Sequence, residues 1–414
     1  MSDIIGTSSG ELEGKKLILC ITGSIAAVET VKIARELIRR GAEVHVVMSK
    51  AAQKIVHPNA LEWATGRPVI TEITGKTEYV ELLGGPKGKA DLLLIAPATI
   101  NTISKIAHGI CDTPVIVFAL AALGSRIPVL VCPAMHETLY DHQIMRDNID
   151  RLKTLGFEFV EPRLEEGKAK LASTDTIVER VLRRLGHHDM AGLKVLITAG
   201  PTHEHIDPIR IITNRSSGKM GAAIAQEALR RGAEVTLVYG PGAATPPAGA
   251  KVLWVEATEE MREAVVSELK SASYDFVVAV AAAADYTPAA PYNYKLPSSE
   301  VSDLTLRLKA TPKIIDEVKK ICPDVILILF RAVYNLPEEN MIRDAYDRLI
   351  RSNADIIVVN DVSKKGVEFG SDTSEVIVVD NSGNFEKIPL SLKSEIAKKI
   401  LNRALNLKKS REGR

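Results

Sequence analysis

Thr213-Asn214-Arg215-Ser216-Ser217-Gly218-Lys219-Met220-Gly221 lies between an apolar run, Lys194 to Thr198, and a helical pattern from Ala222 to Arg230. A buried strand, a polar loop and a helix in that order open a βαβ unit. Small residues at the helix start let its first amides approach a ligand. Those amides lack intrahelical partners and carry partial positive charge, so with two hydroxyls and Lys219 they make a cradle for an anion. The Gly-x-x-x-x-Gly-Lys-Ser/Thr order of a P-loop is absent. A serine-capped polar loop is the bland alternative. Asn214 just upstream, with Asp285 and Lys295 at later strand ends, favours the functional one.

Outward from this stretch, the same plan occurs earlier in the chain. Lys16–Thr22 reads as a buried strand, Gly23-Ser24-Ile25-Ala26-Ala27 as a tight turn, Val28–Arg40 as an amphipathic helix closed by Gly41, and Glu43–Met48 as the next strand. Arg40-Gly41-Ala42-Glu43-Val44 is echoed by Arg231-Gly232-Ala233-Glu234-Val235. The fold class is therefore α/β, with two Rossmann-like or flavodoxin-like domains, each a mainly parallel sheet flanked by helices. The expected division is a disordered leader over 1–14, one domain over 15–186 and a second over 190–406, hinged at Gly186-His187-His188-Asp189. In the second domain, Phe276–Ala282 and Leu304–Leu308 read as strands, and Pro288–Ser299 as a mobile loop. Thr311-Pro312 reads as the cap of a helix, Val376–Val379 as a strand near the sheet edge, and Ser391–Leu405 as a closing helix.

Composition narrows the function. The 414 residues carry 53 Lys and Arg against 52 Asp and Glu, a net charge of +1, so no global field draws nucleic acid or an anionic membrane. Aromatics are only 4%, against a base-stacking binder. The 4 cysteines lie in or beside apolar segments without CxxC or metal spacing, which reads as a reduced, cytoplasmic protein. No run is apolar enough to span a membrane, and the first residues do not read as a signal peptide.

In the first domain, several small and polar groups fall at the carboxyl ends of parallel strands, where α/β sheets bind nucleotides and flavins. They are Gly23, Ser24, Ile25 and Ala26; Ser49; Pro97, Ala98, Thr99, Asn101 and Thr102; and Met135 with His136 and Glu137. Met135 can pack on a flavin ring. Ser49 and Lys50 stand where an acidic residue would grip the ribose of NAD, so the set favours a mononucleotide, FMN.

GSIAA, PATINTISKIAHGICD and PAMHETLY together resemble the flavoprotein family of cysteine decarboxylases. NRSSGKMG, AAAADY, Lys295, TPKI and NDVS…FGSD resemble phosphopantothenate–cysteine ligase. In this order, over about residues 15 to 405, the chain resembles the fused bifunctional proteins of coenzyme A biosynthesis, of archaeal type. That resemblance implies coupling of 4′-phosphopantothenate to L-cysteine through an acyl-nucleotide made with CTP, or ATP, and Mg²⁺, then FMN-dependent decarboxylation to 4′-phosphopantetheine. It also implies a homo-oligomer assembled through the flavin domain. It places Asn214 at the acyl-nucleotide, Asp285 at the nucleotide, and Lys295 on charge developing at phosphate. Ser216, Ser217, Gly218, Lys219, Met220, Phe330, Asn360 and Asp361 complete the nucleotide side. Metal ligands are left unassigned.

The chain departs from the family patterns at particular residues. Tyr79-Val80-Glu81-Leu82 has tyrosine where the decarboxylases carry a histidine, and His136 replaces an asparagine. Lys170, in Glu166-Gly167-Lys168-Ala169-Lys170, is the nearest counterpart of a cysteine that serves as proton donor. Leu329-Phe330-Arg331-Ala332-Val333 stands for Gly-Phe-Lys-Ala-Glu, losing a glycine and a carboxylate. A phenol is a poor base near neutral pH but donates a hydrogen bond. Two alternatives to the bifunctional enzyme therefore stay open: a flavin-binding regulatory protein, and a ligase with a weakened decarboxylase half.

Overall fold

The computed structural model describes residues 4–7, 10–84, 89–297 and 303–412, and the chain divides into two units, Met1–Gly186 and His187–Arg414. The first unit holds strands β1 (Lys16–Ile21), β2 (Glu43–Met48), β3 (Leu92–Ala98), β4 (Val129–Pro133), β5 (Met135–His136), β6 (Phe157–Phe159), β7 (Arg163–Glu165) and β8 (Lys168–Lys170). Five of these form a parallel sheet in the order β2-β1-β3-β4-β6. Helices cover both faces, so the strands are apolar without alternation, and β3 is buried along its whole length. Helix Thr30–Arg39 lays Ile33, Ala34 and Leu37 on one face of the sheet. Helix Pro114–Gly124 lays Val115, Phe118 and Ala119 on the other. The order is flavodoxin-like, with its switch point between β1 and β3.

A separate antiparallel sheet, β5-β8-β7, sets Met135 opposite Ala169 and His136 opposite Lys168. Glu166 and Gly167, both at positive φ (54° and 66°), form the two-residue turn between β7 and β8. The leader expected to be disordered is anchored where it is described. Leu12 is buried in the core and its N–H donates to the Arg40 carbonyl at 2.8 Å, while Gly6 N–H donates to that of Ile38 at 3.2 Å. The end of helix Thr30–Arg39 presents carbonyls that the leader's N–H groups reach, that of Ile38 also accepting from Gly41 N–H at 2.9 Å. Residues 1–3, 8 and 9 lie outside the described residues.

The second unit holds β9 (Lys194–Ala199), β10 (His203–His205), β11 (Ile211–Thr213), β12 (Glu234–Tyr239), β13 (Lys251–Trp254), β14 (Phe276–Ala279), β15 (Tyr286–Pro288), β16 (Leu308–Ala310), β17 (Ile326–Val333), β18 (Ile356–Asp361), β19 (Thr373–Asp380) and β20 (Phe385–Leu392). Its main sheet runs β13-β12-β9-β14-β17-β18-β19-β20. The first six strands are parallel, in the order of a dinucleotide-binding fold with its switch point between β9 and β14. The last two are antiparallel. The Arg-Gly-Ala-Glu-Val echo is a shared geometry. Gly41 and Gly232 end their helices at φ of 95° and 88°. Lys16 then pairs with Glu43 as Lys194 pairs with Glu234.

Some local expectations fail for identifiable reasons. The strand expected at Leu304–Leu308 is confined to Leu308–Ala310, because Leu304 is exposed with no sheet face to cover it. Thr311-Pro312 does not cap a helix, which starts at Ile315; the Thr311 hydroxyl donates instead to the Ala284 carbonyl at 2.5 Å. Phe276–Ala282 is strand only to Ala279. Val376–Val379 belongs to the longer β19, covered by β20 at the sheet edge. The closing helix runs Lys393–Glu412.

Candidate functional site

Beyond the carboxyl ends of β9 and β14, a cavity of 620 Å³ is walled by Asn214–Gly221 on one side and Val280–Ala283 on the other. Phe330, Asn360 and residues 367–370 also line it. Gly218 starts helix Lys219–Arg230 from a φ of 79°, and a Cβ there would lie 2.3 Å from the Tyr239 hydroxyl oxygen. A Cβ on Gly221 would lie 2.3 Å from that of Ala199. Only glycine lets this helix start press so closely on the sheet, with its first amides at the cavity. Asn214 Nδ2 donates to the carbonyls of Ala282 at 3.1 Å and Ala283 at 3.2 Å, bridging the switch point. Lys219 Nζ donates to the Gly370 carbonyl and Asp372 Oδ1, each at 2.7 Å, and this hydrogen bond holds the Asp372 carboxyl below its usual range.

Asn214, Ser216, Ser217, Gly218, Lys219, Met220, Asp285, Phe330 and Asn360 thus share one cavity. Asp285 is ion-paired with Lys313. Asp361 is not on the wall. Its buried Oδ1 accepts from Asn335 N–H at 3.0 Å, and from Ser363 N–H at 3.0 Å and Oγ at 2.7 Å, shaping the loops after β17 and β18. Burial alone would raise its carboxyl, but the Ser363 and Asn335 bonds prevail and hold it low. Lys295 is exposed and also off the wall. The loop carrying it, read as mobile, is tied at Leu296. The Leu296 N–H donates to Asp207 Oδ2 at 3.2 Å and its carbonyl accepts from both Arg210 amino groups at 3.2 Å. Ser298 and Ser299 of that loop lie outside the described residues. Lys393 lines the cavity and was missed; it lies too far along the chain for any local pattern to flag it. Burial and the nearby Lys219 lower its pKa.

In the first unit, a cavity of 580 Å³ gathers Ser24, Ile25, Ala26, Met135, His136 and Lys170. Ile25, Val28, Ala134 and Met135 give it an apolar wall, while Lys32, Arg163 and Lys168 add cations. A flat ring system with a phosphate tail fits that donor set: apolar side chains for the ring, and the Ser24 turn with the cations for the phosphate. Lys170 Nζ pairs with Glu166 at 2.8 Å and Glu165 at 3.2 Å, and these hydrogen bonds raise its pKa. Lys32 was missed, although it lies four residues beyond Val28 on the helix after the Gly-Ser turn.

The other flavin-site candidates lie off this wall. Gly23 packs tightly, since a Cβ there would lie 2.5 Å from that of Ala51. Ser49 Oγ accepts from Ala52 N–H at 3.2 Å, a local cap. Pro97, Ala98 and Thr99 form the β3 end of the switch point, where Thr22 Oγ1 donates to Pro97 O at 2.7 Å and accepts from Thr99 N–H at 3.1 Å. Thr102 Oγ1 meets Thr99 Oγ1 at 3.2 Å, and Asn101 is exposed in the same helix start. Tyr79 packs on the core that holds Ile103 and Phe118. Among the described residues, no three His, Cys, Asp or Glu side chains are placed to hold a metal, and no helix is long and apolar enough to cross a membrane.

A flavodoxin-like sheet followed by a dinucleotide-fold sheet, each with a cavity lined by its first strand–helix turn, defines a class: a two-unit α/β protein with a cavity at the strand ends of each unit. Residues 5–186 match the family model described as Flavoprotein, and residues 190–407 that of the DNA/pantothenate metabolism flavoprotein C-terminal domain. The chain is 51% identical over 397 residues to the coenzyme A biosynthesis bifunctional protein CoaBC of Thermococcus kodakarensis, covering 96% of each. It is 39% identical over 407 residues to that of Methanocaldococcus jannaschii, covering 98% of this chain and 97% of the relative. A crystal structure of a CoaBC C-terminal domain is similar over 54% of this chain and 99% of that one, at 34% identity and a TM-score of 0.45. The chain belongs to the CoaBC family of coenzyme A biosynthesis, and is a bifunctional enzyme, a ligase and a decarboxylase.

Proposed function

We propose that the second unit couples 4′-phosphopantothenate to L-cysteine, and that the first decarboxylates the product to 4′-phosphopantetheine, in a cytoplasmic homo-oligomer. The carboxylate attacks the α-phosphorus of CTP, with ATP as the alternative, and pyrophosphate leaves. Mg²⁺ accompanies the triphosphate. The cysteine amine then attacks the acyl carbon, the nucleoside monophosphate leaves, and the amine loses a proton. The observation that carries this reading is Asn214, bonded across the switch point beside the amides and hydroxyls of Ser216–Lys219. Those donors suit an acyl-nucleotide, and Lys295 is the candidate for charge developing on its phosphate. The test is pyrophosphate release from CTP and 4′-phosphopantothenate without cysteine. Absence of pyrophosphate with both CTP and ATP would overturn the reading.

In the first unit, Ser24–Ala26 with Lys32 and Arg163 are assigned to the phosphate of FMN and Met135 to its ring, while His136 and Lys170 face the substrate carboxylate. FMN, when bound, supplies the redox-neutral electron chemistry that lets CO₂ leave. A second reading, a weakened decarboxylase, is favoured by Tyr79, which packs on the core instead of the cavity wall. Because Tyr79 lies off the cavity wall, Tyr79→His is expected to leave CO₂ release from phosphopantothenoylcysteine unchanged. A raised rate would place Tyr79 at the reacting carbon.

A further inference from the structure

The 620 Å³ cavity has a neighbour of 400 Å³, and the two share Ala281, Ala283, Asp285, Phe330 and Arg331 as lining. The smaller one has an apolar interior that includes Met261, Leu329 and Ile357, and a rim of three cations, Lys313, Arg331 and Arg348. Lys313 is paired with Asp285, and Arg348 lies 3.7 Å from Asp316. Arg331 differs from both. On β17 it falls between Leu329 and Val333 on one strand face, both buried, so its stem leaves from packed surroundings. Its Nε lies 2.7 Å from Asp344 Oδ2, an ion pair without hydrogen-bond geometry, and both atoms are sealed from solvent with no hydrogen-bond partner. Among the described residues, the only ion-pair partner of its guanidinium is this carboxylate, on the Nε edge.

A guanidinium carries five N–H donors in a rigid fork, and an ion pair at the Nε edge leaves the two terminal amino groups to bind something else. A solvated ion pair that does nothing further is the bland reading. Against it stand the sealed Nε contact and the position of Arg331 where an apolar chamber meets an amide-rich one. A nucleoside triphosphate has those two parts, an aromatic base and an anionic chain, with the phosphates between the chambers. We propose that Arg331, at the junction of the two cavities and ion-paired with Asp344, is a phosphate-binding residue of the ligase unit that offers its terminal amino groups to the triphosphate chain. This rests on the reading of the second unit as nucleotide-dependent.

Titration calorimetry of the full-length protein with CTP and with CMP tests it. Arg331→Gln should weaken CTP binding roughly tenfold to a hundredfold, the range for charge-assisted hydrogen bonds, and CMP binding about twofold or less. Arg331→Lys should recover part of the loss, and Asp344→Asn, which frees the guanidinium, should weaken CTP more than CMP. Equal CTP binding by wild type and Arg331→Gln overturns the inference and leaves the nucleotide reading standing. Equal losses of CTP and CMP also overturn it, since Arg331 would then serve the nucleoside or the fold. A wild-type protein that binds neither CTP nor ATP overturns both.

Discussion

The side-chain amide of Asn214 donates to the Ala282 carbonyl at 3.1 Å, so one residue ties the segment after β11 to the segment after β14. Those segments flank the switch point between β9 and β14, and a change at Asn214 should therefore be felt in chemistry more than in folding. Asn214→Asp turns the donor into an acceptor facing two carbonyls. Ligase turnover is expected to fall roughly 10²-fold or more, while stability to urea drops by about 1 kcal/mol. Near-normal coupling by Asn214→Asp would remove the residue from the reaction.

Gly218→Ala should destabilise the second unit by about 1–3 kcal/mol, because the added Cβ meets both a positive φ and the Tyr239 hydroxyl. Tyr239→Phe removes the obstructing oxygen. The double variant should then lose less than the sum of the singles in a denaturant double-mutant cycle. Strict additivity would show that the contact is not felt.

Asp361 tests whether a motif residue is structural. Its hydrogen-bonded carboxylate is held low, so its contribution to stability is present above the unfolded value near ~3.9 and is lost as pH falls through the lower folded value. Asp361→Ala should flatten the acid limb of a stability–pH curve and cost about 1–3 kcal/mol at neutral pH, with the KM for CTP unchanged. A raised KM at unchanged stability would return Asp361 to the nucleotide site.

Lys170, with its pKa raised by Glu166 and Glu165, stays an ammonium through neutral pH and is a weak acid there. On the alkaline side, the lysine's contribution is present below its ordinary value near ~10.4 and is lost as pH rises through the higher folded value. That charge suits the proposed role of holding the substrate carboxylate. Lys170→Met should raise the decarboxylase KM roughly tenfold, with kcat little changed and no new limb between pH 6 and 9. A collapse of kcat at unchanged KM would make it the proton donor instead.

Both domain plans were legible because their signals are local: uninterrupted apolar strands, glycines at helix ends, and Lys16–Glu43 and Lys194–Glu234 starting matching strand pairs. What escaped depends on distant partners. Leu12 reads as leader until the end of helix Thr30–Arg39 is there to receive it. Strand β20, with only Ile388 fully buried and Pro389 within it, lacks the pattern of a core strand. At the sites, strand-end position pointed to Ser24 and Met135, and the loop opening a helix to Asn214; all three line cavities. The motif shared with the ligase family could not separate Asp361, turned into its own loop, from Asn360 on the cavity wall. Lys393 and Lys32 reach the cavities by topology, without a motif.

The most direct measurement is product mass. Purified protein is incubated with 4′-phosphopantothenate, L-cysteine, Mg²⁺, FMN and CTP, and the masses are followed with time. The assignment predicts a cysteine amide of 4′-phosphopantothenate that appears first, then a species lighter by one CO₂. Loss of the second species alone would leave a ligase. No cysteine adduct with either CTP or ATP would contradict the central claim.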